Sequence, residues 1–311
     1  MAALNYAQKY QQALANAFPY SLYFGELWNQ TGQGNYRWVD EKTIQIPRLT
    51  TTGRVNADRD TIAQATRNYD NSWETKTLEN QRKWSTLVHP KDIDQTNQVA
   101  SIVNITKTFN EFQKFPEMDA YLVSKIYERY TTAVTKENYT AHKADETSLE
   151  TSGVLDGDKV LSMFDKFMLN MDNHRVPLAG RILYVTNEVK TALKTAASIQ
   201  KRWNVQESGN AINRAVEYID GVKVKPVPAE LMKTMYNFTT GWAPADSADQ
   251  INMFMVHPAA IITPISYTFS QLQEPSALSE GKYVYYEESF EDCFILNNLA
   301  DAIQYNIKKH E

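Results

Sequence analysis

The chain has 311 residues, 42% of them hydrophobic, and a formal net charge of −5. That length holds one large core or two smaller ones, and no apolar run reaches the roughly 18 residues of a membrane-spanning helix. The acidic balance and the absence of a Lys/Arg cluster exclude tight, direct nucleic-acid recognition, which draws most of its affinity from phosphate neutralisation.

The start of the chain lacks a basic segment followed by an apolar block, so no secretory leader is expected. The single Cys293 excludes an intrachain disulfide and any Cys-based zinc site. Leu4–Phe18 is read as a short helix stopped by Pro19. The segment from Pro19 to Trp28 carries Tyr20, Tyr23, Phe24 and Trp28. It is too short for its own core, so it lies either on its own domain or on a neighbour's. Thr31–Gly34 is a turn.

Tyr36–Leu49 alternates as a strand does. Thr50–Asp70 has few apolar residues and no period. Ser72–Val88 returns to strand chemistry with Trp73, Thr75, Thr77, Trp84 and Val88. The simplest reading is a long β-hairpin, its arms on the order of 40 Å at ~3.3 Å per residue. A lone two-stranded ribbon is marginal in water, so another subunit is expected to prop it.

Asp92–Lys107 predicts a short helix followed by a strand-like piece. Pro116 opens the strongest helix, with Met118, Tyr121, Leu122, Ile126, Tyr130, Ala133 and Val134 at three- and four-residue spacing. It is expected to reach Asn138, about 35 Å. Asp156 caps a second amphipathic helix to Met171. Then come a strand (Arg181–Thr186), a helix (Glu188–Ser198), a strand (Val222–Val227) and a loop (Tyr236–Asp249). The strand Asn252–His257, a helix or strand over Ala259–Ile265, and strands within Lys282–Asn306 complete an α+β chain.

Nothing in this order supplies an active site. His89, His142, His174, His257 and His310 lack metal-ligand spacing. Asp92 with Asp94, and Asp156 with Asp158, do not continue into a calcium loop. The acidic group Glu287, Glu288, Glu291 and Asp292 reads as a solvated face or an intersubunit ion-pair partner. Cys293 sits in an apolar run and reads as buried. No catalytic residue, cofactor or metal is assigned. Tyr23, Trp28, Trp38, Trp73 and Trp84 are the expected intersubunit contacts.

Five runs then carry a resemblance by their order: ENQRKWSTLVHPKDIDQTN (Glu79–Asn97), FPEMDAYLVSKIYERY (Phe115–Tyr130), HRVPLAGRILYVTNEVKTALK (His174–Lys194), and VEYIDGVKVKPVP (Val216–Pro228) with INMFMVHPAAI (Ile251–Ile261). The chain resembles the major capsid proteins of tailed bacteriophages with the Hong Kong phage (HK-type) fold. The resemblance implies an N-terminal arm (1–35), an extended loop (36–88), and a peripheral domain (89–150 and 279–311) with a spine helix over about 116–138. It also implies an axial domain (151–278).

By the same resemblance, the protein is a structural subunit, not an enzyme. It would form pentamers and hexamers of an icosahedral head around double-stranded DNA touched non-specifically, without membrane. A separate scaffolding protein, a portal at one vertex, and assembly in the host cytoplasm follow. Some relatives crosslink Lys to Asn with a catalytic Glu. Lys42, Lys76 and Lys83 lie near the loop, but nothing in the sequence shows a partner Asn and a catalytic Glu. No crosslinking is expected, and so no ladder of covalent oligomers on a denaturing gel. The rival readings are an encapsulin-like compartment shell, a phage tail or adaptor protein, and an α+β hydrolase using His257 or the acidic group.

Overall fold

The computed structural model describes residues 20–28, 36–54, 67–95, 101–132, 140–196 and 216–310. The expected helix Leu4–Phe18 and the turn Thr31–Gly34 lie outside these residues. After helix α1 (Gly25–Trp28), β1 (Arg37–Trp38) folds back onto β2 (Thr43–Thr51). Asp40 tightens that turn by accepting from the Lys42 amide at 2.9 Å. β2 then pairs antiparallel with β3 (Tyr69–Thr77), from Thr43 opposite Thr77 to Thr51 opposite Tyr69. Pro47 is tolerated because β1 ends short of it, leaving that side of β2 an edge.

The expected second hairpin arm, Ser72–Val88, is two strands in two sheets. β3 ends at Thr77, and β4 (Gln81–Val88) leaves to pair elsewhere. The break falls at Glu79 and Asn80. There the Glu79 amide donates to Asp292 Oδ2 at 2.9 Å, and the Glu291 amide donates to Asn80 O at 3.2 Å.

Helix α2 (Pro90–Gln95) is followed by α3 (Ile102–Phe109), a π-helical turn (Asn110–Lys114) and α4 (Phe115–Thr131). The strand-like piece is therefore helical, although its β-branched residues favour strands. Ser101 caps it by accepting from the Asn104 amide, and propensity is a weak force beside capping and packing. The spine thus begins at Ile102, well before Pro116, and runs roughly 45 Å to Thr131. Pro116 has no N–H for the helical ladder, and the π turn before it is where that ladder is already interrupted. The expected continuation through 133–138 lies outside the described residues.

Hairpin β5 (Glu150–Thr151)–β6 (Val154–Leu155) turns through Ser152 and Gly153, both at positive φ. Asp156 caps α5 (Gly157–Asn173), as expected, by accepting from the Asp158 amide. β7 (Ile182–Thr186), α6 (Asn187–Leu193), β8 (Tyr218–Ile219) and β9 (Val222–Val227) follow. Then come β10 (Tyr236–Asn237), β11 (Ala243–Pro244), β12 (Gln250–Val256), β13 (Ile261–Ile262), β14 (Ile265–Gln273), β15 (Tyr283–Glu291), β16 (Phe294–Ile295) and β17 (Ile303–Lys308). The class is α+β.

The central sheet has the order β17-β12-β7-β9-β8, with β7 and β9 parallel. Both faces are covered, so β7 is buried throughout and apolar but for its last residue, Thr186. Leu183, Val185, Met253 and Met255 meet Val160, Phe164 and Phe167 of α5. On the other face Tyr184, Phe254, Ile303 and Tyr305 meet Leu122, Ile126 and Tyr130 of α4. A third cluster, Ile44, Ile46, Leu78, Ile262, Phe290 and Phe294, sits at the root of the hairpin.

Strand pairing crosses the borders implied by the resemblance. β14 joins β15 and β4 in one sheet, and β17 is an edge of the central sheet. β14 was not foreseen, although Ile265, Tyr267 and Phe269 alternate.

Gly157 allows α5 to start against α6. A Cβ there would stand 2.3 Å from Ala192 O and 2.7 Å from Ala196 N, both backbone. Alanine is the better helix former by about 1 kcal/mol, but a backbone clash of this kind costs about 1–3 kcal/mol. Gly157→Ala is therefore expected to lower the melting temperature; an unchanged or higher value would show that the two helices can part.

Candidate assembly surfaces

Among the described residues, the β2–β3 ribbon has no core beyond Ile46. Leu49, Tyr69 and Trp73 are exposed on it, as is Trp38 on β1. The aromatics are held by cations: the Arg37 guanidinium lies 4.0 Å over Trp73, and that of Arg67 lies 5.1 Å over Tyr69. Such stacking keeps flat, amphipathic rings ordered at the surface. The root is anchored by Ile44 and Ile46.

The five aromatics singled out by sequence separate into two kinds. Trp38 and Trp73 are 40% and 44% exposed and can meet a partner. Trp28, at 5%, lies inside its own chain's core with Phe24 and Leu27 and offers no surface. Tyr23 is half-buried against that core and edge-on to Tyr20. Trp84 is half-buried, stacked on Phe109 at 3.9 Å and close to Tyr285.

The described part of the arm lies on its own domain. Asp119 of α4 accepts from the Tyr20 hydroxyl and from the amides of Tyr23 and Phe24. Burial pushes the Asp119 carboxyl up to about 6, against the lowering pull of these bonds. Glu26 adds ion pairs to Lys223 at 2.7 Å and Lys225 at 2.8 Å.

The acidic group is not one solvated face. Asp292 is fully buried. Its Oδ1 accepts from Tyr121 Oη (2.9 Å), Arg129 Nη1 (2.9 Å) and the Cys293 amide (2.8 Å). Its Oδ2 accepts from Arg129 Nη2 (3.2 Å) and the Glu79 amide (2.9 Å). One carboxylate thus ties the spine helix to β15 and to the foot of the hairpin. Burial and the Asp292 charge push the Tyr121 hydroxyl far up. Cys293 is buried as expected, and burial raises its thiol strongly.

Glu291 is also buried, in the wall of a cleft of about 580 Å³ between the spine and the β14-β15-β4 sheet. Across the cleft Arg82 pairs with Glu117 at 2.5 Å and Lys114 with Glu287 at 3.0 Å. Burial pushes the Glu291 carboxyl up to about 7. A group whose folded value is raised adds stability below its ordinary value of 4.5 and loses it as pH rises through 7. Glu291→Gln should therefore gain on the order of 3 kcal/mol over the parent between pH 4.5 and 8. Parallel denaturation curves for the two proteins across that range would contradict this.

His89, His142 and His257 make local structural contacts. His257 Nδ1 accepts from the Ala259 amide at 3.2 Å, and its Nε2 lies 3.1 Å from Ala179 O, so neither nitrogen is free to act as a base. His89 Nδ1 accepts from the Lys91 amide at 3.1 Å. His142 stacks on Tyr130. Among the described residues no group of three or more His, Cys, Asp or Glu could hold a metal ion. Among them, too, no helix is long and apolar enough to cross a membrane.

No protein-family model matches the chain, and no curated protein does. Solved structures do match, over nearly the full length. The asymmetric unit of the bacteriophage PhiM1 mature capsid aligns at a TM-score of 0.67 with 14% identity, covering 99% of this chain and 93% of that one. The capsid structure of the cyanophage P-SCSP1u gives 0.63 with 10% identity, covering 98% and 93%. A chain from Mycobacterium phage Che8 gives 0.62 with 12% identity, covering 98% of each. With its ribbon, spine and central sheet in one chain, this protein has the fold of phage capsid proteins.

Proposed function

We propose that this protein is a major capsid protein, a structural subunit rather than an enzyme. It assembles as pentamers and hexamers into an icosahedral head around double-stranded DNA. The observation that carries this reading is the unsupported ribbon: two strands, exposed aromatics and no core beyond Ile46. A two-stranded ribbon is marginal alone; closed symmetry buries it on a neighbour in every copy at once. The likeness to capsid structures over nearly the whole chain supports the same conclusion.

The partners are further copies, a separate scaffolding protein during assembly, and a portal at one vertex. Contacts to DNA are non-specific, in keeping with the net charge of −5. The protein resides in the virion capsid and assembles in the host cytoplasm. Negative-stain electron microscopy with size-exclusion chromatography tests this. Shells, or rings of five and six subunits, are expected with the scaffolding protein present. A persistent monomer under those conditions would overturn the reading.

A further inference from the structure

Glu291 ends β15 and stands in the wall of the cleft between the spine and the β14-β15-β4 sheet. It is only 8% exposed. Among the described residues no side chain bonds or ion-pairs with its carboxyl. The cations beside it are committed elsewhere. Arg82 holds Glu117 and donates to Phe238 O at 2.7 Å. Lys114 holds Glu287, which also accepts from Tyr285 Oη at 2.8 Å. With Glu288 and Lys83 included, four carboxylates of the lining face three cations. An ionised Glu291 is therefore a buried charge in excess, and such a charge is costly without a partner. The space beside it, about 580 Å³, is of the size that takes a small ligand. Aromatic rings line the same space: Trp84, stacked on Phe109, lies 5.8 Å from Tyr285.

We propose that this cleft binds an organic cation, a guanidinium or ammonium group on an apolar stem. The charged head sits against Glu291 and the stem against Trp84 and Tyr285. Aromatic faces attract a cation, and a planar guanidinium gives a carboxylate two parallel bonds. A metal ion suits the cleft less well. It would lie among Arg82, Lys114 and apolar rings, and no group of three or more ligands is at hand among the described residues. The cation is either a free small molecule or a Lys or Arg side chain of a second copy, since both present the same chemistry. The site is complete within one subunit, so the inference goes beyond the capsid reading and does not depend on it.

The test is isothermal titration of the purified full-length protein with butylguanidinium, beside butylurea, its uncharged isostere. At about pH 8 the Glu291 carboxyl, pushed up to about 7, is ionised. One site with a Kd on the order of 1 mM is expected, as suits so small a cation, with no saturable heat from butylurea. The charged groups facing Glu291 are Arg82 of β4, Lys114 and Glu117 of the spine, and Glu287 of β15. At about pH 5.5 Glu291 is protonated, and binding is expected to weaken about tenfold or more. Glu291→Gln, which is expected to fold more stably than the parent, should bind at the higher pH no better than the parent does at the lower, and without pH dependence. Sedimentation velocity assigns the source. Smaller species in the presence of butylguanidinium point to a second copy's side chain, and an unchanged profile points to a free cation. No saturable binding at concentrations tenfold above that Kd would overturn the proposal. So would equal binding of butylurea, or undiminished binding by Glu291→Gln.

Discussion

Asp292→Ala is expected to leave the subunit insoluble, or to lower its melting temperature by on the order of 10 °C. The carboxylate is fully buried and accepts from Tyr121, both terminal nitrogens of Arg129, and the amides of Glu79 and Cys293. Removing it strands the Arg129 guanidinium, which also lies 3.9 Å over Phe294. Breaking one side of a buried ion pair costs about 3–5 kcal/mol because the other charge is left uncompensated. Each unsatisfied amide adds about 1–3 kcal/mol. The whole stability of a domain is about 5–15 kcal/mol. Differential scanning calorimetry of any soluble fraction checks this. A melting temperature within about 2 °C of the parent would show that the spine, β15 and the hairpin foot are not held by this group.

Trp73→Ala is expected to do the opposite, sparing the fold and abolishing particles. Trp73 is 44% exposed and its close contact is the Arg37 guanidinium. A substitution at so open a site changes folding stability by about 0.5 kcal/mol or less. At an interface, a buried tryptophan is the kind of residue whose truncation costs about 2 kcal/mol or more. A shell repeats that loss in every subunit, so the effect on assembly multiplies. Sedimentation of the variant under conditions in which the parent forms shells should give a soluble subunit and no shells. Normal shells would show that the ribbon is not an intersubunit element.

These two residues also show how far the sequence could be read. β7 and β12 announced themselves as short apolar runs, β9 as an alternation of Val with Lys, and Asp156 as a cap. The ribbon was visible because Tyr36–Leu49 alternates. What strand chemistry could not reveal was the choice of partner. β3 and β4 are alike in composition, yet one stays in the ribbon and the other joins β15. Trp28 and Trp73 are likewise indistinguishable until packing buries one.

Asp292 looked like a member of a surface acidic group because its counter-charge, Arg129, lies 163 residues away. Two misses did leave local signals. Ile102, Ile105 and Phe109 follow helical spacing behind the cap Ser101, and Ile265, Tyr267 and Phe269 alternate along β14.

The central claim is that copies of this chain build a shell by laying the β2–β3 ribbon on a neighbour. A cryo-electron-microscopy reconstruction of the assembled particle tests it most directly. The account predicts pentamers and hexamers in which Trp38, Leu49, Tyr69 and Trp73 are covered by the adjacent subunit. A closed shell with those four side chains still facing solvent would contradict it.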